Sequence, residues 1–262
     1  MDLQLTGKRA VVTGASRGIG LATVEALVAE GVRVVAGSRT VSAELAATGA
    51  IPVTTDLRTA DGVNALVERA IVEFGDIDLL VNNVGGADHV EHLAFADTTD
   101  DDWFDLLNLN LMAAVRTTRA SVPSLLRTKG VVVTVSSDGA LTPRQGALAT
   151  PLPYAVSKAA LNACMKALSV ELGLEGIRVT TVSPGSTRTS LWEGEVGETL
   201  ARAAGVPHDA LLKVLPEQAG MLTGRWIEPK EIAAAIAFVA SPLSGSTIGA
   251  NFEIDAGARR SL

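Results

Sequence analysis

From Lys8 onward, short runs of β-branched and other apolar residues alternate with longer stretches in which apolar positions recur every three or four residues. The short runs predict strands at Arg9–Thr13, Arg33–Gly37, Ile51–Thr55, Leu79–Asn82, Val131–Ser136, Arg178–Ser183 and Asn251–Ile254. Helical periodicity marks Leu21–Glu30, Ala60–Phe74, Trp103–Arg127, Tyr154–Leu172 and Pro229–Ala240. Strand and helix in regular alternation is the pattern of βαβ units. It predicts an α/β fold in one domain over residues 1–262, a doubly wound sheet of about seven parallel strands with helices on both faces. One stretch breaks the rhythm. Leu191 to Trp226 contains Gly194, Gly197, Gly205, Pro207, Gly220 and Gly224, and a connection this long in a compact domain is usually a functional lid or a disordered segment. Apolar spacing in Glu198–Ala204 and His208–Leu215 predicts two short helices there, hence a mobile substrate lid at about 191–226.

Composition narrows the class. The 262 residues are 47% hydrophobic but only 3% aromatic, and Ala, Val, Leu and Gly suit tightly packed parallel strands and helices better than a sandwich. A net charge of −7 with no basic run argues against nucleic acid or an anionic membrane as partner. Cys164 is the single cysteine, so no intramolecular disulfide forms and no cysteine-based metal site is available. The first residues lack a signal-peptide pattern and no apolar stretch reaches membrane-spanning length, so the expectation is a soluble cytoplasmic protein.

Candidate chemistry gathers after the predicted strands. Gly14, Ser16, Arg17, Gly18, Ile19 and Gly20 fill the turn between the first strand and the first helix. Glycine lets backbone approach a ligand there, and a helix N-terminus offers free N–H groups to a pyrophosphate. The second strand ends in Ser38 and Arg39, where a dinucleotide fold keeps an acid for the ribose hydroxyls. Arg39 and Arg17 can instead grip a 2′-phosphate, which favours NADP(H) over NAD(H). Tyr154 and Lys158, four residues apart at a helix start, share a face, and the ammonium favours the ionised phenol.

The ordered series of motifs resembles the single-domain short-chain dehydrogenase/reductase family over nearly the whole chain. Thr13–Gly20 is similar to its T-G-x-x-x-G-x-G turn, Asp56-Leu57 to its adenine-contacting pair, and Asn82-Asn83-Val84-Gly85 to its N-N-A-G. Pro184-Gly185, with Thr187 and Thr189 beyond, resembles the segment beside the nicotinamide carboxamide. The resemblance implies a Rossmann-type fold, a tetrad of Asn110, Ser137, Tyr154 and Lys158, and a homotetramer built on Trp103–Arg127, Tyr154–Leu172 and the C-terminal strand region. In that tetrad Tyr154 delivers the proton and Ser137 holds the substrate oxygen. Lys158 binds the nicotinamide ribose and lowers the Tyr154 pKa, and Asn110 orders a water that reconnects Lys158 to solvent.

The chain departs from the family in places. The segment from Ser137 to Tyr154 is several residues longer than usual. Ser136 adjoins Ser137, and because a strand alternates faces only one can point at substrate. Ser137 is the family's choice. Asp88, His89, Glu91 and His92 invite a metal reading, but hydride transfer needs none and either histidine can line substrate. Arg127 and Lys129 fit a helix C-terminus as well as they fit an acidic carrier. The predicted activity is hydride transfer between NADP(H) and the carbonyl or secondary alcohol of a small to medium apolar substrate. Leu191, Trp192, Leu211, Leu212 and Leu215 of the lid carry the apolar part of that reading. The competing readings are a 3-oxoacyl thioester reductase, a non-catalytic NADP(H)-binding scaffold or sensor, and a nucleotide-sugar epimerase or dehydratase.

Overall fold

The computed structural model describes residues 1–87, 95–142 and 150–260. Among them seven strands form one parallel sheet: β1 (Arg9–Thr13), β2 (Arg33–Ser38), β3 (Ile51–Thr54), β4 (Leu79–Asn82), β5 (Val131–Val135), β6 (Arg178–Pro184) and β7 (Asn251–Ile254). Their spatial order is β3-β2-β1-β4-β5-β6-β7. Central strands such as β4 and β5 are buried at every residue, whereas the edge strands β3 and β7 alternate. Pro52 sits on edge strand β3, where the missing N–H costs no ladder bond on the open side.

Alternation along each strand sends neighbours to opposite faces. Val12 and Val34 pack under α1 (Gly18–Ala29) and α10 (Pro229–Ala240), against Val24, Leu27, Ile232 and Ile236. Val11 and Val35 pack on the other face with Leu66 of α3 (Ala60–Phe74), Leu125 of α5 (Ala113–Thr128) and Leu161 and Met165 of α6 (Leu152–Leu174). Arg178 closes the end of α10, its guanidinium donating to the carbonyls of Val239, Ala240 and Ser241.

The predicted helix Trp103–Arg127 is interrupted. α4 (Asp100–Leu107) passes into a π-turn at Asn108–Met112 before α5 resumes the α-helix. Such a wide turn shifts the side chains that follow it, and π-bulges gather at functional sites. A short helix, α2 (Ala43–Ala47), capped by the Ser42 hydroxyl on Leu45 N–H at 3.1 Å, also lies outside the predicted elements. Between β6 and α10 stand α7 (Ser190–Glu193), α8 (Glu195–Ala204) and α9 (His208–Gln218), one helix more than the periodicity predicts.

Candidate active site

Strand order reverses between β1 and β4, which opens a crevice at their carboxyl ends, where ligands bind in such sheets. Thr13 and Asn83 knit that crevice together. Thr13 Oγ1 accepts the N–H groups of Asn83 and Val84 at 2.8 and 3.0 Å, and Asn83 Nδ2 donates to the Thr13 and Gly14 carbonyls, each at 3.0 Å. Gly14 has φ 68°, a left-handed conformation that glycine adopts without strain. Packing is equally strict at Gly20, where an added methyl would lie 2.1 Å from the Gly14 carbonyl oxygen. No side chain caps the start of α1, so its first N–H groups remain available to an anion.

A cavity of about 730 Å³ runs along these strand ends. Gly14, Ser16, Arg17, Gly18, Ile19 and Gly20 line it from the first turn. Ser38, Arg39, Asp56 and Leu57 line it beyond β2 and β3, and Asn83, Val84 and Gly85 line it beyond β4. Tyr154, Lys158 and Thr189 complete the predicted residues on its wall. These groups fit a dinucleotide: an uncapped helix start, close-approach glycines, and two arginines with no acid at the end of β2.

Five predicted residues stand elsewhere. Pro184 ends β6 paired to Ile254, and the Gly185 N–H donates to the Ile254 carbonyl at 2.9 Å. Thr187 is buried and donates to the Gly185 carbonyl at 3.0 Å, so this segment is bound to β7 and the cavity is reached further on, by Thr189 and Ser190. Asn110 is fully buried in the π-turn and clamps Gly86, accepting its N–H at 2.9 Å and donating to its carbonyl at 3.1 Å. Leu109, not Asn110, lines the cavity. Ser137 lies one residue past Ser136, which lines the wall. The Ser136 hydroxyl donates to the Lys158 carbonyl at 3.4 Å, while Ser137 Oγ accepts the Gly139 N–H at 3.1 Å and donates to Asp138 Oδ1 at 3.5 Å.

Lys158 occupies the second turn of α6, and Tyr154 the first. Its ammonium is buried, donates to the Val135 carbonyl at 3.0 Å and lies 6.0 Å from the Tyr154 ring centre. Burial lowers its pKa to about 8, so at neutral pH it carries a proton in a poorly solvated place. A methyl on Gly85 would lie 2.7 Å from Asn110 Oδ1 and 2.8 Å from Lys158 Nζ. Asn110 and Lys158 therefore converge on one glycine, which sequence spacing alone does not reveal.

Sequence reasoning passed over Arg58, which lines the cavity and grips the Asp56 carboxylate at 2.7 Å. The only signal was an arginine two residues after an acid in a loop. The segment after β6 also differs from expectation. Leu211 and Leu215 are buried with Ala201 in a small core of their own, against Trp192, Leu212 and Trp226, and line no part of the cavity. Arg127 is paired with Asp76, and Lys129 donates to the Glu175 carbonyl at 2.7 Å. Asp88, His89, Glu91 and His92 fall outside the described residues, as does much of the lengthened stretch before Tyr154. Among the described residues no three His, Cys, Asp or Glu side chains group to hold a metal, and no helix is long and apolar enough to cross a membrane.

The chain is similar to known proteins over nearly its whole length. The family profile described as Enoyl-(Acyl carrier protein) reductase matches residues 14–259. The chain is 34% identical to the L-fucose dehydrogenase of Oryctolagus cuniculus, covering 92% of this chain and 81% of that protein. It is 33% identical to the D-threitol dehydrogenase of Mycolicibacterium smegmatis, covering 98% and 94%. Among solved structures, L-sorbose reductase from Gluconobacter frateurii, complexed with NADPH and L-sorbose, superposes with a TM-score of 0.91 at 30% identity over 100% of both chains.

Proposed function

The chain belongs to the short-chain dehydrogenase/reductase family, and from that premise we propose that it is an NADP(H)-dependent oxidoreductase interconverting a carbonyl and a secondary alcohol. One observation carries the reading: a single cavity is lined by Arg17 of the turn after β1, by Arg39 just past β2, and by Tyr154 and Lys158 of α6. A bound nicotinamide would supply the hydride, or accept it in the reverse direction. The chain's own groups handle the oxygen. Tyr154 Oη gives that oxygen its proton, or takes the alcohol proton back as a tyrosinate. Ser137 Oγ, the family's choice of the two serines, holds the oxygen as negative charge grows on it. Lys158, aimed by the Val135 carbonyl, favours the ionised phenol and holds the nicotinamide ribose hydroxyls. Asn110 acts by position, fixing Gly86 and standing beside Lys158.

The substrate class shifts from the apolar expectation. Leu211 and Leu215 spend their surface on the small core after β6, which we read as a lid, so they lend no support to an apolar pocket. Relatives named for L-fucose, D-threitol and L-sorbose favour a polyol or sugar. The thioester reading is weaker: net charge is −7, and Asp76 neutralises Arg127, one of the cations that an acidic carrier would need. We extend the family reading to a homotetramer, for which exposed Phe104 on α4 and Val170 on α6 offer apolar surface.

A panel of polyols and ketoses with both nicotinamide cofactors tests the assignment. Tyr154→Phe is expected to lower kcat about 10²- to 10⁴-fold while leaving affinity for adenosine 2′,5′-bisphosphate unchanged. Undiminished turnover would remove Tyr154 from the mechanism.

A further inference from the structure

Three charged side chains share one end of the cavity. Arg39 follows β2, Asp56 and Arg58 follow β3, and all three line the same wall. Arg58 meets Asp56 side-on. Its Nε lies 3.1 Å from each carboxylate oxygen, Nη2 donates to Oδ2 at 2.7 Å, and its backbone N–H donates to Oδ1 at 3.0 Å. These bonds, opposed by partial burial and assisted by the charge of Arg39, hold the carboxyl below the usual carboxylate range. Asp56 is therefore ionised at any physiological pH.

Arg58 is placed by more than its partner. Its carbonyl accepts from Asn108 Nδ2 at 3.3 Å and from Arg116 at 3.2 Å, and Arg116 also donates to Asn108 Oδ1 at 2.7 Å. The loop is thus bolted to the π-turn and α5, and the guanidinium is preset against the carboxylate before any ligand arrives. That arrangement bears on cofactor choice. A carboxylate at this end of a dinucleotide site repels a 2′-phosphate, and here one stands a strand away from the place where an acid is ordinarily found. Arg39 and a bare Asp56 would cancel. With Arg58 engaged, the wall keeps one net positive charge.

We propose that Arg58 is a cofactor-selectivity residue that masks Asp56, so that a 2′-phosphate is accepted at the Arg39 end of the cavity. This rests on the NADP(H) reading above. Titration calorimetry with adenosine 2′,5′-bisphosphate and with AMP measures the preference without turnover. Arg58→Gln is expected to cut the preference for the bisphosphate about tenfold, the scale of one unmasked charge in partly screened surroundings. Adding Asp56→Asn in the same chain should restore it. An unchanged ratio in Arg58→Gln overturns the proposal, and so does a loss that Asp56→Asn fails to restore, since Arg58 would then be a direct phosphate ligand. The NADP(H) reading fails by a separate route: wild type would bind both nucleotides equally, and Arg39→Asp would change nothing.

Discussion

The nucleotide half of the cavity and the segment after β6 rest on different foundations. The first is made of strand ends that the sheet already holds. Thr13 and Asn83 bond across β1 and β4, and the strand residues beneath them, Val11, Val12, Leu80 and Val81, are fully buried. The second closes on itself. Thr187 bridges Ile227, and the Arg188 N–H donates to the Ile227 carbonyl at 2.8 Å, so both ends of the segment meet at its base. Its small core joins α7, α8 and α9 through Trp192, Ala201, Leu211 and Leu215, with the two indoles, Trp192 and Trp226, 5.4 Å apart. Ala219 and Met221, past α9, are buried in the main core, and the Leu222 N–H donates to the Ala256 carbonyl at 2.8 Å, so the part that can open while the sheet stays intact, as a lid requires, is α7 to α9.

Matched truncations on the two sides test that separation. Leu27 on α1 is fully buried in the main core, and Leu27→Ala is expected to cost about 2–5 kcal/mol in denaturant unfolding. Leu211 on α9 is nearly as buried. If the segment opens locally, Leu211→Ala loses less than about 1 kcal/mol of global stability and raises KM instead. Equal losses in unfolding would mean that one cooperative unit includes both, and the lid reading would fall.

A second contrast is electrostatic. The nucleotide half buries an ammonium, whereas the Arg225–Glu231 pair at the foot of the other region lies in solvent and contributes little. Lys158 titrates near 8 in the folded chain against its ordinary 10.5. Below about 8 both folded and unfolded chains hold the proton, and the burial penalty stands in full. Between 8 and 10.5 the unfolded chain binds more protons, so stability rises with pH, by on the order of 3 kcal/mol at most. Subtracting the pH profile of Lys158→Met from that of wild type, both without nucleotide, should leave this rise. A flat difference would place Lys158 in a better solvated site.

The same division separates what sequence can reveal from what it cannot. Every strand lies within a residue of its predicted ends: burial on both faces gives central strands such as β4 and β5 unbroken apolar runs, the edge strands β3 and β7 alternate, and a pattern search detects both. The glycine turn is legible for a similar reason, since only glycine satisfies Gly14 and Gly20. The π-turn is not, because one wide turn inside an apolar helix leaves the spacing of its hydrophobic residues almost unchanged. Arg58 escapes because its bond to Asp56 depends on loop backbone and on anchors fifty or more residues away, Asn108 and Arg116. The leucines of α9 are apolar at helical spacing, yet spacing does not say which core they enter.

The smallest effect is expected where the two regions touch. Arg17, beside the α1 start, donates to Ser190 Oγ on α7 at 3.3 Å, and a methyl on Gly18 would lie 3.2 Å from Thr189 Cγ2. The hydrogen bond is long and exposed, so its net worth is at the low end of about 0.5–1.5 kcal/mol. Ser190→Ala should therefore change the affinity for adenosine 2′,5′-bisphosphate and the KM by no more than about threefold each, the first measured by calorimetry and the second by steady-state kinetics. Tenfold changes in both would mean that the glycine turn and the segment after β6 move as one body. The nucleotide would then set the position of the lid directly, and the boundary between the two regions would have to be drawn through α7 instead of at its start.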